Sequence, residues 1–145
     1  MEEGLDRLAR PFIHRLRVRY AECDMQGVVF NSHYLVYFDA ALTELWREAL
    51  GGYRLMLDQD IDLVVAEAHL RYKSAARFED ELTVEMTITH LGETSIVSEY
   101  SIGCDGTPLV DGMTRHVTVS RDTLKKTPIP GWMRSGLEPW VSSGR

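Results

Sequence analysis

One stretch at helical period dominates this chain. Asn31 and Ser32 are good N-cap residues, because a short side-chain oxygen satisfies one of the free N–H groups of a first helical turn. Tyr34, Tyr37, Phe38, Ala41, Leu42, Leu45, Trp46 and Ala49 then follow at i, i+3, i+4 spacing, and Gly51-Gly52 closes the pattern as a C-terminal stop. A helix over residues 31–50 would be about 30 Å long at 1.5 Å per residue, long for a chain of 145 residues. Its apolar positions cover more than one narrow stripe, so other elements are expected to wrap around it.

The rest of the chain reads mostly at period 2. Over residues 12–20, Phe12, Leu16, Val18 and Tyr20 alternate with Arg15, Arg17 and Arg19, the pattern of a half-buried strand. Residues 21–27 break it with a polar, turn-forming cluster centred on Glu22, Asp24 and Gly27. Beyond the helix, residues 61–73 place Val64, Ala66, Ala68, Leu70 and Tyr72 on one face, and the two alanines are expected to let the helix approach the sheet. Leu82, Val84, Met86 and Ile88 alternate with Thr83, Glu85, Thr87 and Thr89; Gly92-Glu93 is a turn, and a further strand occupies residues 94–104. Asp105-Gly106 is a hairpin signal before the last strand, 109–120. Residues 122–145, broken by Pro128, Pro130, Gly131 and Pro139, read as a tail behind a core of about residues 12–121. This order predicts a single α+β domain over residues 1–145, a five-stranded antiparallel sheet wrapped around one long central helix, which is the hot-dog arrangement. Such a sheet leaves an edge unprotected, so a homo-oligomer, a dimer or a dimer of dimers, is the expected completion.

Composition narrows the partners. Acidic residues number 22 and basic residues 16, a net charge of −6, which argues against nucleic acid as a ligand. The longest apolar runs, such as Leu63-Val64-Val65-Ala66, fall far short of the roughly 20 residues that span a bilayer. No apolar stretch of secretory type follows Met1-Glu2-Glu3-Gly4, so a cytoplasmic location with no membrane partner is expected. Cys23 and Cys104 form no C-x-x-C pair and no metal-ligand spacing, and read as free thiols in a chain that binds no metal. A G-x-S-x-G elbow, a P-loop, G-x-G-x-x-G and H-E-x-x-H are all missing from the sequence.

The segment with chemical content is Asp24-Met25-Gln26-Gly27-Val28-Val29-Phe30-Asn31-Ser32-His33-Tyr34, entered through Arg19-Tyr20-Ala21-Glu22-Cys23. Asp, two residues, Gly, two β-branched aliphatics, an aromatic residue and a Tyr four further on closely resemble the signature of the 4-hydroxybenzoyl-CoA thioesterase family. Those proteins are hot-dog acyl-CoA thioesterases. The resemblance implies an acyl-CoA substrate, no cofactor beyond the coenzyme A of the substrate itself, and an oxyanion donor at the backbone N–H of Asn31.

The residues support the same chemistry on their own account. Thioester hydrolysis needs a nucleophile or a base that activates water, together with donors for the oxyanion that develops. Asp24 is the candidate for the first. The start of the long helix, with its free N–H groups, is the candidate for the second, close to Asn31. Gly27 lets the loop bend and a ligand approach the backbone; Val28, Val29 and Phe30 are expected to line an apolar slot. His33, in the first helical turn, is placed to touch the leaving sulfur or a polar group of the substrate, and Tyr34 matches the signature's tyrosine. Asp39, two turns into the helix, is placed to meet a hydroxyl at the far end of a short aromatic acyl group. Lys73, Arg77 and Lys125-Lys126 are candidates for the CoA phosphates, whereas Glu44, Arg47 and Glu48 read as a solvated helix face. Two other functions compete: a hot-dog enoyl-CoA hydratase or dehydratase, whose proton chemistry needs a histidine paired with a carboxylate, and a non-catalytic acyl-CoA-binding protein.

Overall fold

A computed structural model describes residues 11–142. Five strands, β1 (Phe12–Arg17), β2 (Ile61–Tyr72), β3 (Glu81–Leu91), β4 (Ser95–Cys104) and β5 (Thr107–Ser120), form one antiparallel sheet in the order β1-β3-β4-β5-β2. Helix α1 (His33–Leu50) lies across its concave face, with short helices α2 (Tyr53–Asp58) and α3 (Gly131–Leu137) at its far end. The expected α+β architecture is the one observed.

Alternation explains which face is covered. Leu82, Val84, Met86 and Ile88 of β3 and Ile96, Tyr100 and Ile102 of β4 are buried against Tyr37, Phe38, Ala41, Leu45 and Trp46 of α1. The Phe38 ring of α1 stacks on Tyr100 of β4 with centroids 4.2 Å apart and lies over Gly112 of β5. A Cβ on Gly112 would lie 2.5 Å from Phe38 Cε2 and 2.8 Å from the backbone oxygen of His69, so any side chain there forces its neighbours to shift. Close approach is therefore made at Gly112, rather than at the expected Ala66 and Ala68, both of which are exposed.

Three further expectations change. A bulge between Val65 and Glu67 leaves Ala66 unpaired with β5 and switches the face: Leu63 and Val65 join the inner side before it, Ala68, Leu70 and Tyr72 after it, and Val64 points outward. Strand β1 ends at Arg17, and Tyr20 stands 80% exposed in a short 3-10 turn, Tyr20–Glu22, instead of continuing the buried face. The proline-broken tail is part of the core: Met133 and Leu137 of α3 are fully buried, and a Cβ on Gly136 would meet Leu50 Cδ2 at 2.5 Å. Strand β2 is a sheet edge, with every residue from Val64 to His69 exposed. Among the described residues no helix is long and apolar enough to cross a membrane, and no cluster of metal-ligating side chains occurs.

Candidate active site

The polar loop of the sequence is a tight hairpin. Cys23 bridges Val29, Asp24 N–H donates to Val28 O at 2.9 Å, and Gly27 N–H closes the turn onto Asp24 O at 3.0 Å. Gly27 has φ +81° with no atom within 4 Å of an added Cβ, so backbone conformation is what requires glycine. The half-buried Asp24 carboxylate accepts the Gln26 N–H through Oδ1 at 2.8 Å, a local turn bond that aims it and leaves its second oxygen open.

The hairpin leads into the helix start. Phe30 N–H donates to Glu22 O at 3.0 Å and His33 N–H to Phe30 O at 2.8 Å, while the N–H groups of Asn31 and Ser32 bond to no described residue. Ser32 is the N-cap but its side chain makes no capping bond. Tyr72 at the end of β2 donates its hydroxyl to Asn31 O at 2.9 Å, pinning this peptide from the other side. Free donors thus flank the base of the Asp24 hairpin, at the positive end of an 18-residue helix.

Beneath them sits a residue the sequence reading treated as turn polarity only. Glu22 is 7% exposed. Its Oε1 accepts Arg19 N–H at 2.9 Å and the Tyr37 hydroxyl at 2.7 Å; its Oε2 accepts Arg19 Nε–H at 2.9 Å and faces His33 Nε2 at 3.5 Å. Burial alone would raise this carboxyl, but the bonds from Arg19 and Tyr37 outweigh it and hold it below the usual range. Burial pushes the Tyr37 hydroxyl well above its ordinary value, reinforced by the carboxylate it donates to.

The remaining candidates divide. Val29 and Tyr34 are 3% and 2% exposed, and Tyr34 accepts the Ala76 N–H at 3.1 Å, so both are packing residues that anchor the segment after β2 and present no surface to a substrate in this protomer. Phe30 is exposed and Val28 half-buried beside Arg77. Lys73 is ion-paired with Asp111 at 2.8 Å, which weakens it as a phosphate ligand, whereas the Arg77 side chain is exposed and joins no ion pair among the described residues. Lys125 and Lys126 adjoin Ser120 and Val119. That end of β5 pairs with Ile61, eleven positions from Tyr72 and so roughly 36 Å along β2 from Asn31, so within one protomer they cannot serve the same site. Glu44 is half-buried and ion-paired to Arg47 at 2.6 Å.

Asp39 opens onto a cleft of about 280 Å³ between α1 and β2, walled by Leu42, Trp46, Leu63 and Val65. Its floor is His116 of β5, 4% exposed, with no hydrogen-bond partner for Nδ1. Burial raises the Asp39 carboxyl, opposed by His116; burial lowers His116 below the ordinary histidine range, opposed by Asp39. The result is an apolar slot with an acid and a neutral imidazole on one side.

A single antiparallel sheet closed around one long helix is the hot-dog architecture, and here the Asp24 hairpin leads into the helix start. Residues 18–137 match the model of the thioesterase-like superfamily. The chain belongs to this family, and the class of enzyme it represents is a thioester hydrolase. It is similar to the acyl-CoA thioester hydrolase YbgC of Escherichia coli O6:H1, with 28% identity over 114 residues, 78% of this chain and 84% of that protein. The structure of a thioesterase superfamily protein from Jannaschia sp. CCS1 superposes with a TM-score of 0.85 at 26% identity, covering 92% of this chain and 94% of the other. A hypothetical protein from Aquifex aeolicus superposes with a TM-score of 0.81 at 28% identity, covering 90% and 99%.

Proposed function

We propose that this protein is an acyl-CoA thioesterase in which Asp24 is the nucleophile or general base and the N–H groups of Asn31 and Ser32 receive the oxyanion. The observation that carries this reading is that the hairpin holding the anchored Asp24 carboxylate leads directly into a helix start with two unbonded N–H donors. In the transition state the carbonyl oxygen gains charge, and donors already fixed in place stabilise it without reorganising. Thiolate departs readily, so little acid assistance is required. Water is the only co-substrate, and no cofactor enters the chemistry. Arg77 is the cation best placed for the nucleotide, since Lys73 is already paired.

The acyl group lies in the cleft between α1 and β2. Asp39 lies six positions after His33, about 9 Å along the helix axis, so a group extending from the helix start brings its far end to Asp39 and His116. A distal hydroxyl would satisfy both, donating to the carboxylate and meeting the unpartnered Nδ1. A second copy completes the wall that the exposed edge of β2 leaves open, making the enzyme a homodimer or a pair of dimers; its surroundings are cytoplasmic, where acyl-CoA is made and used.

Hydration of enoyl-CoA is the rival reading that a specific observation favours, because Glu22 and His33 form a carboxylate–histidine pair of the kind such chemistry needs. A panel separates them: thiol release from short, long, branched and hydroxyaryl CoA esters, beside loss of the enoyl absorbance from an unsaturated ester. Hydrolysis of at least one ester, fastest for a hydroxylated acyl group, is expected. Hydration without thiol release would overturn the assignment.

A further inference from the structure

Glu22 occupies an expensive position for a carboxylate, and neither the attacking group nor the oxyanion donors account for it. Leaving a charge 7% exposed is tolerated only where bonds surround it, and here four groups do: Arg19 N–H and Nε–H, the Tyr37 hydroxyl and the His33 ring. Three of these are hydrogen bonds of 2.7–2.9 Å. The fourth is different in kind. His33 Nε2 is shut off from solvent and makes no hydrogen bond, and the Oε2 of Glu22 faces it at 3.5 Å. The ring lies edge-on against Tyr37, with centroids 5.1 Å apart, and Tyr37 is bonded to the same carboxylate.

Resting on the hydrolytic reading above, we propose that Glu22 is a positioning residue for His33. It fixes the imidazole with Nε2–H turned inward, leaving Nδ1 as an acceptor at the start of α1 that holds the attacking water for Asp24. Which ring nitrogen carries the proton is set by the bond the other one makes, and a buried carboxylate in front of Nε2 selects the Nε2–H form. The water then has two acceptors. One of its protons passes to Asp24 as its oxygen bonds to the thioester carbon; the other stays on that oxygen, directed at Nδ1. The C–S bond breaks with its electron pair going to sulfur, releasing the carboxylic acid and CoA thiolate, and Asp24 returns its proton to the thiolate. Two short backbone bonds, Phe30 N–H to Glu22 O and His33 N–H to Phe30 O, tie His33 to the hairpin that bears Asp24, so one residue sets the geometry of both acceptors.

The test is a double-mutant cycle with Glu22→Gln, His33→Gln and the pair, read as kcat and KM for a hydrolysed CoA ester. Glutamine keeps the size of Glu22 and can still accept from Tyr37. Loss of tautomer control should lower kcat roughly tenfold or more with KM within about twofold, and Glu22→Gln should cost nothing further in the His33→Gln background, because the residue acts through the ring. Additive losses in the cycle would overturn the proposal, leaving Glu22 as a part of the fold alone. Long-range ¹H–¹⁵N spectra of the unsubstituted protein provide a reading that needs neither variant to fold and no turnover. A proton on His33 Nε2 is expected, and a bare Nε2 with the proton on Nδ1 would overturn the proposal. Failure of the hydrolytic reading would instead show as absent thiol release with the Nε2–H signal intact.

Discussion

His116 and Glu22 represent opposite ways of burying a titratable side chain. Glu22 stays ionised because donors surround it; His116 stays neutral because nothing bonds to its Nδ1 and burial disfavours the charged ring. The two leave different marks on acid stability. An imidazole lowered in the folded state binds its proton more readily when unfolded, so its contribution is complete above about pH 6.5, the unfolded histidine value, and fades as pH falls through the folded one. A carboxyl lowered in the folded state behaves the same way, beginning lower, at about pH 4.3. Urea unfolding between pH 8 and 5 should therefore show the unsubstituted protein losing more stability than His116→Gln; identical slopes would contradict the neutral, buried ring. As a candidate, Asp24 was visible in the sequence because its spacing to Gly27, the aliphatic pair and Tyr34 is specific. Glu22 was not, since a glutamate in a turn is ordinary until the fold places Tyr37 and His33 against it. His116 did leave a trace: it shares the inner face of β5 with Val110, Gly112, Thr114 and Thr118, and is the one ionisable side chain among them.

At the scale of elements, α1 and the five strands followed from periodicity because each is long enough for its apolar face to repeat. The short helices did not: α2 spans 6 residues and α3 spans 7, too few turns for a helical period to stand out, and α3 carries Gly131 and Gly136 beside prolines. The face of β2 was misjudged at its first half because a bulge at Ala66 shifts the alternation by one, and nothing in the local sequence announces the extra residue. The seat of the helix was misplaced for a related reason, since a glycine in a strand suggests a turn or bulge before it suggests a close crossing. Gly112→Ala should test that seat directly. Its Cβ would press on Phe38 and on the His69 backbone, of which only the ring can move, and the strain should cost about 1–3 kcal/mol. Thermal unfolding at a Tm several degrees lower is expected; an unchanged Tm would mean α1 rides higher on the sheet than the geometry gives.

The whole molecule is shaped by what one protomer leaves uncovered. Edge strand β2 has 12 residues, its central stretch is exposed, and it borders the cleft proposed for the acyl group, so two copies joined at this edge would close both. Sedimentation at micromolar concentration should give at least twice the 16.5 kDa of one chain, and a fully active monomer would show that one subunit holds the entire site. Central to all of this is the claim that Asp24 does the chemistry at the helix start. Asparagine keeps the size of that side chain and one carbonyl oxygen to accept the Gln26 N–H, yet lacks the basicity to activate water and the charge to attack a thioester. The most direct measurement is therefore thiol release by Asp24→Asn beside the unsubstituted protein, with circular dichroism to confirm folding. A loss of about 10²–10⁴-fold in kcat with binding of a non-hydrolysable acyl-CoA analogue retained is the predicted result; a folded variant whose kcat stays within about threefold, under about 0.7 kcal/mol in barrier, would contradict the account.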